Sequence, residues 1–397
     1  MSEMQGPVSG MTQAVMRSSN LALVMRKVAD HSGRISRADI AHQLGMTRST
    51  VSRLVDDLID GGLVAEGAAS GTGRGRPAVP LSLRRGTALG LGLQVGVGRL
   101  AAVLVDLDGT VEATAETKTD VPKLGLAASV EELQRLSGQV LGSLPEGGHL
   151  IGAFAAIPGL LDLRSGRVVR APNLGWDGES LGTHWTLTHE GRRVPLAAAN
   201  DATCAAVTVM RSDPDSSFLL LCGDVGIGGA LCRDGTLVLG EHGWSGELGH
   251  ICVDPRGVPC RCGSIGCMET IVSLPAVLSA SRQPSLEAYR RALTNGDERA
   301  ESVLRRTVGA LGIGLGAAMN VWDVSTIRLC CYFAELEPWL REPLTRQLMG
   351  RVVWGRKAHI DVGALPALPL RPAIGAGLIA LGPVVKDPDS FLTRGAA

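Results

Sequence analysis

The sequence predicts an α/β protein in two unequal parts: a small helical domain with a β wing over residues 1–86, and a large α/β domain over residues 87–397. Three observations carry this prediction. Two short helices of apolar periodicity lie near the N-terminus on either side of Gly45. At Leu89 the texture changes to glycine-spaced strand sequence. The charge divides at the same place, with 11 Lys and Arg against 7 Asp and Glu in residues 1–86, and 28 against 32 in the remainder. A chain of 397 residues with 45% hydrophobic content can bury more than one core, and its net charge of zero conceals this split. No apolar run reaches the roughly 18 residues that a membrane span requires, and no basic-then-apolar leader opens the chain, so a cytoplasmic protein without a membrane partner is expected.

Residues 1–18 are expected to be flexible, and the amphipathic stretch 21–29 is expected to form a packing helix. In "RISRADIAHQLGMTRSTVSRLVDDLIDGGLV", Ser36 is the predicted N-cap of a short helix carrying Ile40, Ala41 and Leu44, which Gly45 ends. Thr47 then caps a second helix with Val51, Leu54, Val55, Leu58 and Ile59 on one stripe. The pair is a helix-turn-helix pattern. A step of about 100° per residue puts Ser49 and Arg53 opposite the stripe and Arg48 and Ser52 on its flanks. Arginine at the start of this helix and Asp56, Asp57 and Asp60 toward its end both oppose the helix dipole; insertion of the N-terminal half into a major groove accounts for the arrangement. "LVAE" and "VPLSL" read as two short strands around the loop "GAASGTGRGRP", which makes a winged helix. Arg74 and Arg76 sit in the wing, in a "GRGRP" segment that resembles the core of AT-hook motifs, whose arginines enter a narrow minor groove. The expected partner is operator DNA, contacted by Arg48, Ser49, Ser52, Arg53, Arg74 and Arg76.

The large domain opens with "LGLGLQVGVG" and "RLAAVLVDLDGTV", two strands joined by a glycine-containing turn. "AAIPGLLD", "APNLGW", "AAANDATCAA", "GDVGIGGALCRDG", "GWSGELGHI" and "HICVDPRGVPCRCGSIGCMET" follow in that order. Together these segments resemble the ROK family, which contains bacterial sugar kinases and sugar-responsive transcriptional repressors. With a winged helix in front, the repressor branch is the nearer likeness. The resemblance implies a two-lobed actin-like, sugar-kinase (ribonuclease H-like) fold.

His250, Cys260, Cys262 and Cys267 offer one imidazole and three thiolates, a set suited to tetrahedral Zn²⁺, and Gly263 and Gly266 let the loop 250–269 curl around the ion. Four protein ligands leave no vacancy for water, so the zinc is expected to be structural. The other cysteines, Cys204, Cys222, Cys232, Cys252, Cys330 and Cys331, are expected to be buried small hydrophobes. Asn200, Asp201, Glu247, His250 and Glu269 supply the carboxylates, amide and imidazole that fix a sugar's hydroxyls, with Gly159 at the border. The resemblance implies that these positions contact a monosaccharide or sugar phosphate, with His250 using its second ring nitrogen. It also makes Asp201 the base position of a kinase. The family's kinases carry an acidic residue and threonine where Gln94 and Gly98 stand here, and glycines where Cys330 and Cys331 stand. ATP and Mg²⁺ are therefore not expected, no residue is expected to be catalytic, and ATP-dependent hexose phosphorylation is the alternative. A homodimer or homotetramer is expected, since paired wings match a palindromic operator.

Overall fold

In the computed structural model, which describes residues 13–68 and 79–395, the first helix runs Gln13–Asp30. It begins earlier than the apolar stripe predicts: positions 13–18, expected to be flexible, are helical, and Arg17 pairs with Asp57 and Asp389. The helices Arg37–Leu44 and Arg48–Asp60 follow. Ser36 caps the first in a capping box with Asp39, Gly45 closes it in the left-handed conformation, and the Thr47 side chain accepts from the Thr50 N–H at the start of the second. The strands Val64–Glu66 and Pro80–Leu83 form the wing as an antiparallel pair. A two-residue strand, Ile35–Ser36, adds to the far edge of Pro80–Leu83. Wing residues Arg74 and Arg76 lie outside the described residues.

The large domain holds two five-stranded sheets of the same topology. In the first, Ala88–Val95, Arg99–Asp106 and Val111–Lys118 form an antiparallel meander, and His149–Ile157 and Leu196–Asn200 extend the opposite edge in parallel. In the second, Phe218–Gly223, Ile227–Arg233 and Thr236–Leu237 form the meander, and Thr326–Cys331 and Asp361–Ala364 the parallel edge. Each sheet has its own apolar cluster. The helix Asp201–Ser212 leaves the last strand of the first sheet and packs against the second.

Glycine sets how closely one helix can approach. Ala88–Val95 is buried along its whole length, and a Cβ on Gly92 would lie 1.9 Å from the Ala373 carbonyl oxygen of the helix Arg371–Ala380. On the same helix a Cβ on Gly375 would meet the Cys204 carbonyl oxygen at 1.8 Å. This helix therefore lies directly on both the first sheet and the helix that begins at Asp201. Its continuation covers the N-terminal helices: Leu381, Val384, Phe391 and Leu392 pack with Leu21, Val24, Leu54 and Leu58 in one apolar cluster. The small domain's core is thus completed by the C-terminus, a contact that no periodicity in residues 1–86 could reveal.

Candidate functional site

A cavity of about 990 Å³ lies between the two sheets, and Asn200, Asp201, Glu247, His250, Glu269 and Gly159 all line it. Asn200 and Asp201 sit where the strand Leu196–Asn200 becomes a helix. The Asn200 Oδ1 accepts from the N–H groups of Ala202 and Thr203, and its Nδ2 donates to the Gly159 carbonyl at 3.2 Å. Gly159 has φ +149°, and a Cβ there would fall 2.6 Å from the Arg170 carbonyl oxygen. Glycine at this position lets the Gly159 carbonyl reach Asn200 without that clash. Asp201 borders the cavity but lies deep below the outer surface. Burial raises its carboxyl to about 6, and Asp224 adds to the rise.

Glu247 is raised to about 7, first by burial and then by Asp201 and Glu269. It precedes a single turn, Leu248–His250, which aims the imidazole two ways. The Nε2 of His250 stands 3.7 Å from the Glu247 Oε2, while its Nδ1 lies 3.7 Å from the Cys260 Sγ. Cys262 and Cys267 have their sulfurs 3.6 Å apart, and the four donor atoms of His250, Cys260, Cys262 and Cys267 lie within 4.8 Å of one another. Such a group can hold a metal ion. Gly263 and Gly266 both have positive φ, and a Cβ on Gly266 would strike the Asp254 carbonyl oxygen at 1.7 Å. Directly after this loop, the buried Glu269 accepts from the Ile227 N–H at 2.8 Å. The loop is thereby tied to the start of a strand in the second sheet.

The same cavity extends past Gln94, Val97, Gly98 and Asp224. Gln94 is buried, and its Oε1 has no hydrogen-bond partner among the described residues. A neutral amide does not meet the need for a carboxylate beside Mg²⁺. Gly228 and Gly229 have packing reasons of their own: added Cβ atoms would lie 3.2 Å from the Ala202 side chain and 2.3 Å from that of Leu248. Their presence is no evidence of phosphate binding. Two cysteines expected to be buried are exposed, Cys252 because it lies in the irregular 250–269 loop and Cys331 because it ends a strand at the cavity. Asn173, Arg170 and Arg371 also line the cavity and were not among the residues anticipated there. The quoted "APNLGW" contains Asn173, whereas nothing in the local sequence marks Arg371.

On the Arg48–Asp60 helix, Arg48, Ser49 and Arg53 are exposed and Ser52 is half-buried. The Ser49 hydroxyl lies 3.0 Å from the Thr47 Oγ1 at the cap, and the Ser52 carbonyl accepts from Arg37. Asp56 and Asp57 pair with Arg37 and Arg17, so the adverse placement of these acids against the helix dipole is offset by arginines from two other segments.

A two-lobed sugar-kinase-like domain behind a winged helix-turn-helix is the class of protein that this fold and site define. The ROK family model matches residues 90–381, and a MarR family model matches residues 22–75. The chain belongs to the ROK family. It is 26% identical to the xylose repressor of Bacillus subtilis (strain 168), over 86% of this chain and 89% of that one. It is 25% identical to the DNA-binding transcriptional dual regulator NagC of Escherichia coli (strain K12), over 91% and 92%. Among solved structures, a ROK family transcriptional regulator described as a homolog of the E. coli MLC protein superposes with a TM-score of 0.75 at 23% identity, covering 96% of this chain and 98% of that one. The ROK family glucokinase from Streptomyces griseus, in complex with glucose and AMPPNP, superposes at 0.62 with 22% identity, covering 74% and 99%. The kinase likeness therefore extends to the two-lobed fold, while the regulator likeness takes in nearly the whole chain.

Proposed function

We propose that this protein is a sugar-responsive DNA-binding transcriptional repressor that acts in the cytoplasm as a homo-oligomer and has no kinase activity of its own. The observation that carries the proposal is the convergence of Asn200, Asp201, Glu247, His250 and Glu269 on one cavity, in a chain whose winged helix shares an apolar core with the C-terminal segment. Full-length relatives named as repressors support it. In this proposal residues 1–86 read operator DNA through Arg48, Ser49, Ser52 and Arg53, with Arg74 and Arg76 of the wing, and residues 87–397 bind a monosaccharide or its phosphate.

The donor set of His250, Cys260, Cys262 and Cys267 fits Zn²⁺ in a structural role: bound through Nδ1, the imidazole keeps its Nε2 for Glu247 and a sugar hydroxyl. Glu247 and Glu269 would accept from sugar hydroxyls, and the Asn200 and Asp201 side chains would fix the ring's position from the first sheet. The neutral Gln94, where the family's kinases carry an acidic residue, argues against phosphoryl transfer, so Asp201 would act as a hydrogen-bond partner and not as a base. Sugar closes the cleft and lowers operator affinity only by binding more tightly to the arrangement that fits DNA poorly.

The test is operator binding by the full-length protein, titrated with monosaccharides and sugar phosphates. One effector should weaken binding by about 10- to 100-fold, a usual range for coupling between sites. E247Q/E269Q should keep operator affinity and lose the response. Sugar-dependent ADP release above background would overturn the non-enzymatic part.

A further inference from the structure

A second sulfur cluster lies in the same cavity, apart from the 250–269 loop. In the second sheet Phe218–Gly223 and Thr326–Cys331 are parallel neighbours, and their register sets Cys222 beside Cys330 and Gly223 beside Cys331. Register partners in parallel strands project to one face, so Cys222 and Cys330 share a side. The next residue, Cys331, would face the opposite side in regular strand. Instead its backbone takes φ 58°, ψ −136°, a conformation that favours glycine and costs other residues on the order of 1–3 kcal/mol. The turn returns its thiol toward the other two: the Cys330 and Cys331 sulfurs are 3.6 Å apart, and all three sulfurs lie within 4.8 Å of one another.

These distances are too long for a disulfide bond, which is about 2.05 Å. They bracket the sulfur–sulfur edge of about 3.8 Å that a tetrahedral ion with metal–sulfur bonds of ~2.3 Å requires. The 250–269 loop sets its own donors to the same spacing, with the same 3.6 Å between two of its sulfurs. Cys222 and Cys330 pack in a small apolar cluster, whereas Cys331 is exposed at the cavity. A purely packing role explains the first two thiols but not the strained backbone that presents the third.

We propose that Cys222, Cys330 and Cys331 form a second metal site, a three-thiolate site for a thiophilic divalent ion of the Zn²⁺ class, whose fourth position opens into the cavity. Binding would release thiol protons to solvent and involves no change of oxidation state. The site would stand at the carboxyl ends of the parallel strands, where ligands bind in open α/β sheets. The proposal does not depend on which effector the protein recognises.

The experiment is metal stoichiometry of the full-length protein, incubated with Zn²⁺ under reducing conditions, freed of loose metal and analysed for zinc per chain. The wild type should hold two equivalents, and C331G and C222S one each. C331G places glycine where the backbone already favours it, so its fold should persist. C260S, which breaks the loop, should also drop to one equivalent, and C260S/C331G should hold none. One equivalent in the wild type, or two retained in both C331G and C222S, would overturn the proposal.

Discussion

Asp201 and Glu247 show how the site stores a cost in single residues. The Asp201 carboxyl stands at about 6 because burial penalises its charge, against an ordinary value of 3.8. A carboxyl raised on folding binds its proton more readily in the native state, so it lowers stability as pH rises through the interval from about 4 to 6. The penalty is absent below the unfolded value and complete above the folded one. D201N should therefore raise thermal stability at pH 8 and leave it unchanged near pH 3.5, measured by thermal unfolding at both pH values. Metal removal makes a second prediction at this scale. Since His250 and Glu269 bound the loop that the ion would hold, C262S or chelation should abolish sugar-induced thermal stabilisation while leaving an isothermal measure of DNA binding within about twofold. Most of these residues were legible in the sequence because their chemistry is dense and local: one histidine and four cysteines, three of them in the candidate donor set, within eighteen positions, with acids at both flanks. Arg371 was not, since it reaches the cavity from the start of a helix whose own pattern shows only packing, and Asn173, although within the quoted "APNLGW", lies in a turn with no donor pattern that singles it out.

At the scale of elements, the winged helix follows local rules and was legible almost to its caps. Ser36, Gly45 and Thr47 each satisfy backbone groups in the way their residue types predict. Ser36→Ala should cost about 1 kcal/mol, read by denaturant unfolding of the full chain, because the Ser36 hydroxyl that accepts from the Asp39 N–H and donates to the Asp39 carboxylate would be lost, while the Ser36 backbone N–H keeps its bond to that carboxylate. Arg53 is exposed on the helix face opposite the apolar stripe, and R53A should weaken operator binding by roughly tenfold or more without changing sugar affinity, measured by fluorescence anisotropy and calorimetry. The strand Ile35–Ser36 escaped notice because two residues carry no alternation to read. The glycines of Ala88–Val95 were read as strand spacing; their role in admitting the Arg371–Ala380 helix depends on a partner nearly 300 positions away.

Across the whole molecule, a continuous route joins the cavity to the Arg48–Asp60 helix. Asn200 caps the helix that Asp201 begins, and that helix's Cys204 carbonyl lies against Gly375. The chain runs on from Gly375 through Leu381 and Val384 into the apolar cluster beneath Leu54 and Leu58. Arg17 adds a polar clasp, pairing with Asp57 of the Arg48–Asp60 helix and Asp389 of the C-terminal segment. Each exposed ion pair contributes little to stability, so the clasp bears on placement more than on folding. D389A/L392A should leave sugar affinity within about twofold and reduce the sugar's effect on operator affinity severalfold, which separates transmission from recognition. The central claim, that occupancy of the interlobe cavity is felt by the winged helix, is tested most directly by operator affinity of the wild type and E247Q/E269Q across a panel of sugars and sugar phosphates. A drop of about tenfold or more with one effector in the wild type, absent in the double variant, is the predicted result. Equal operator affinity with and without every sugar, in a protein that calorimetry shows to bind one of them, would contradict it.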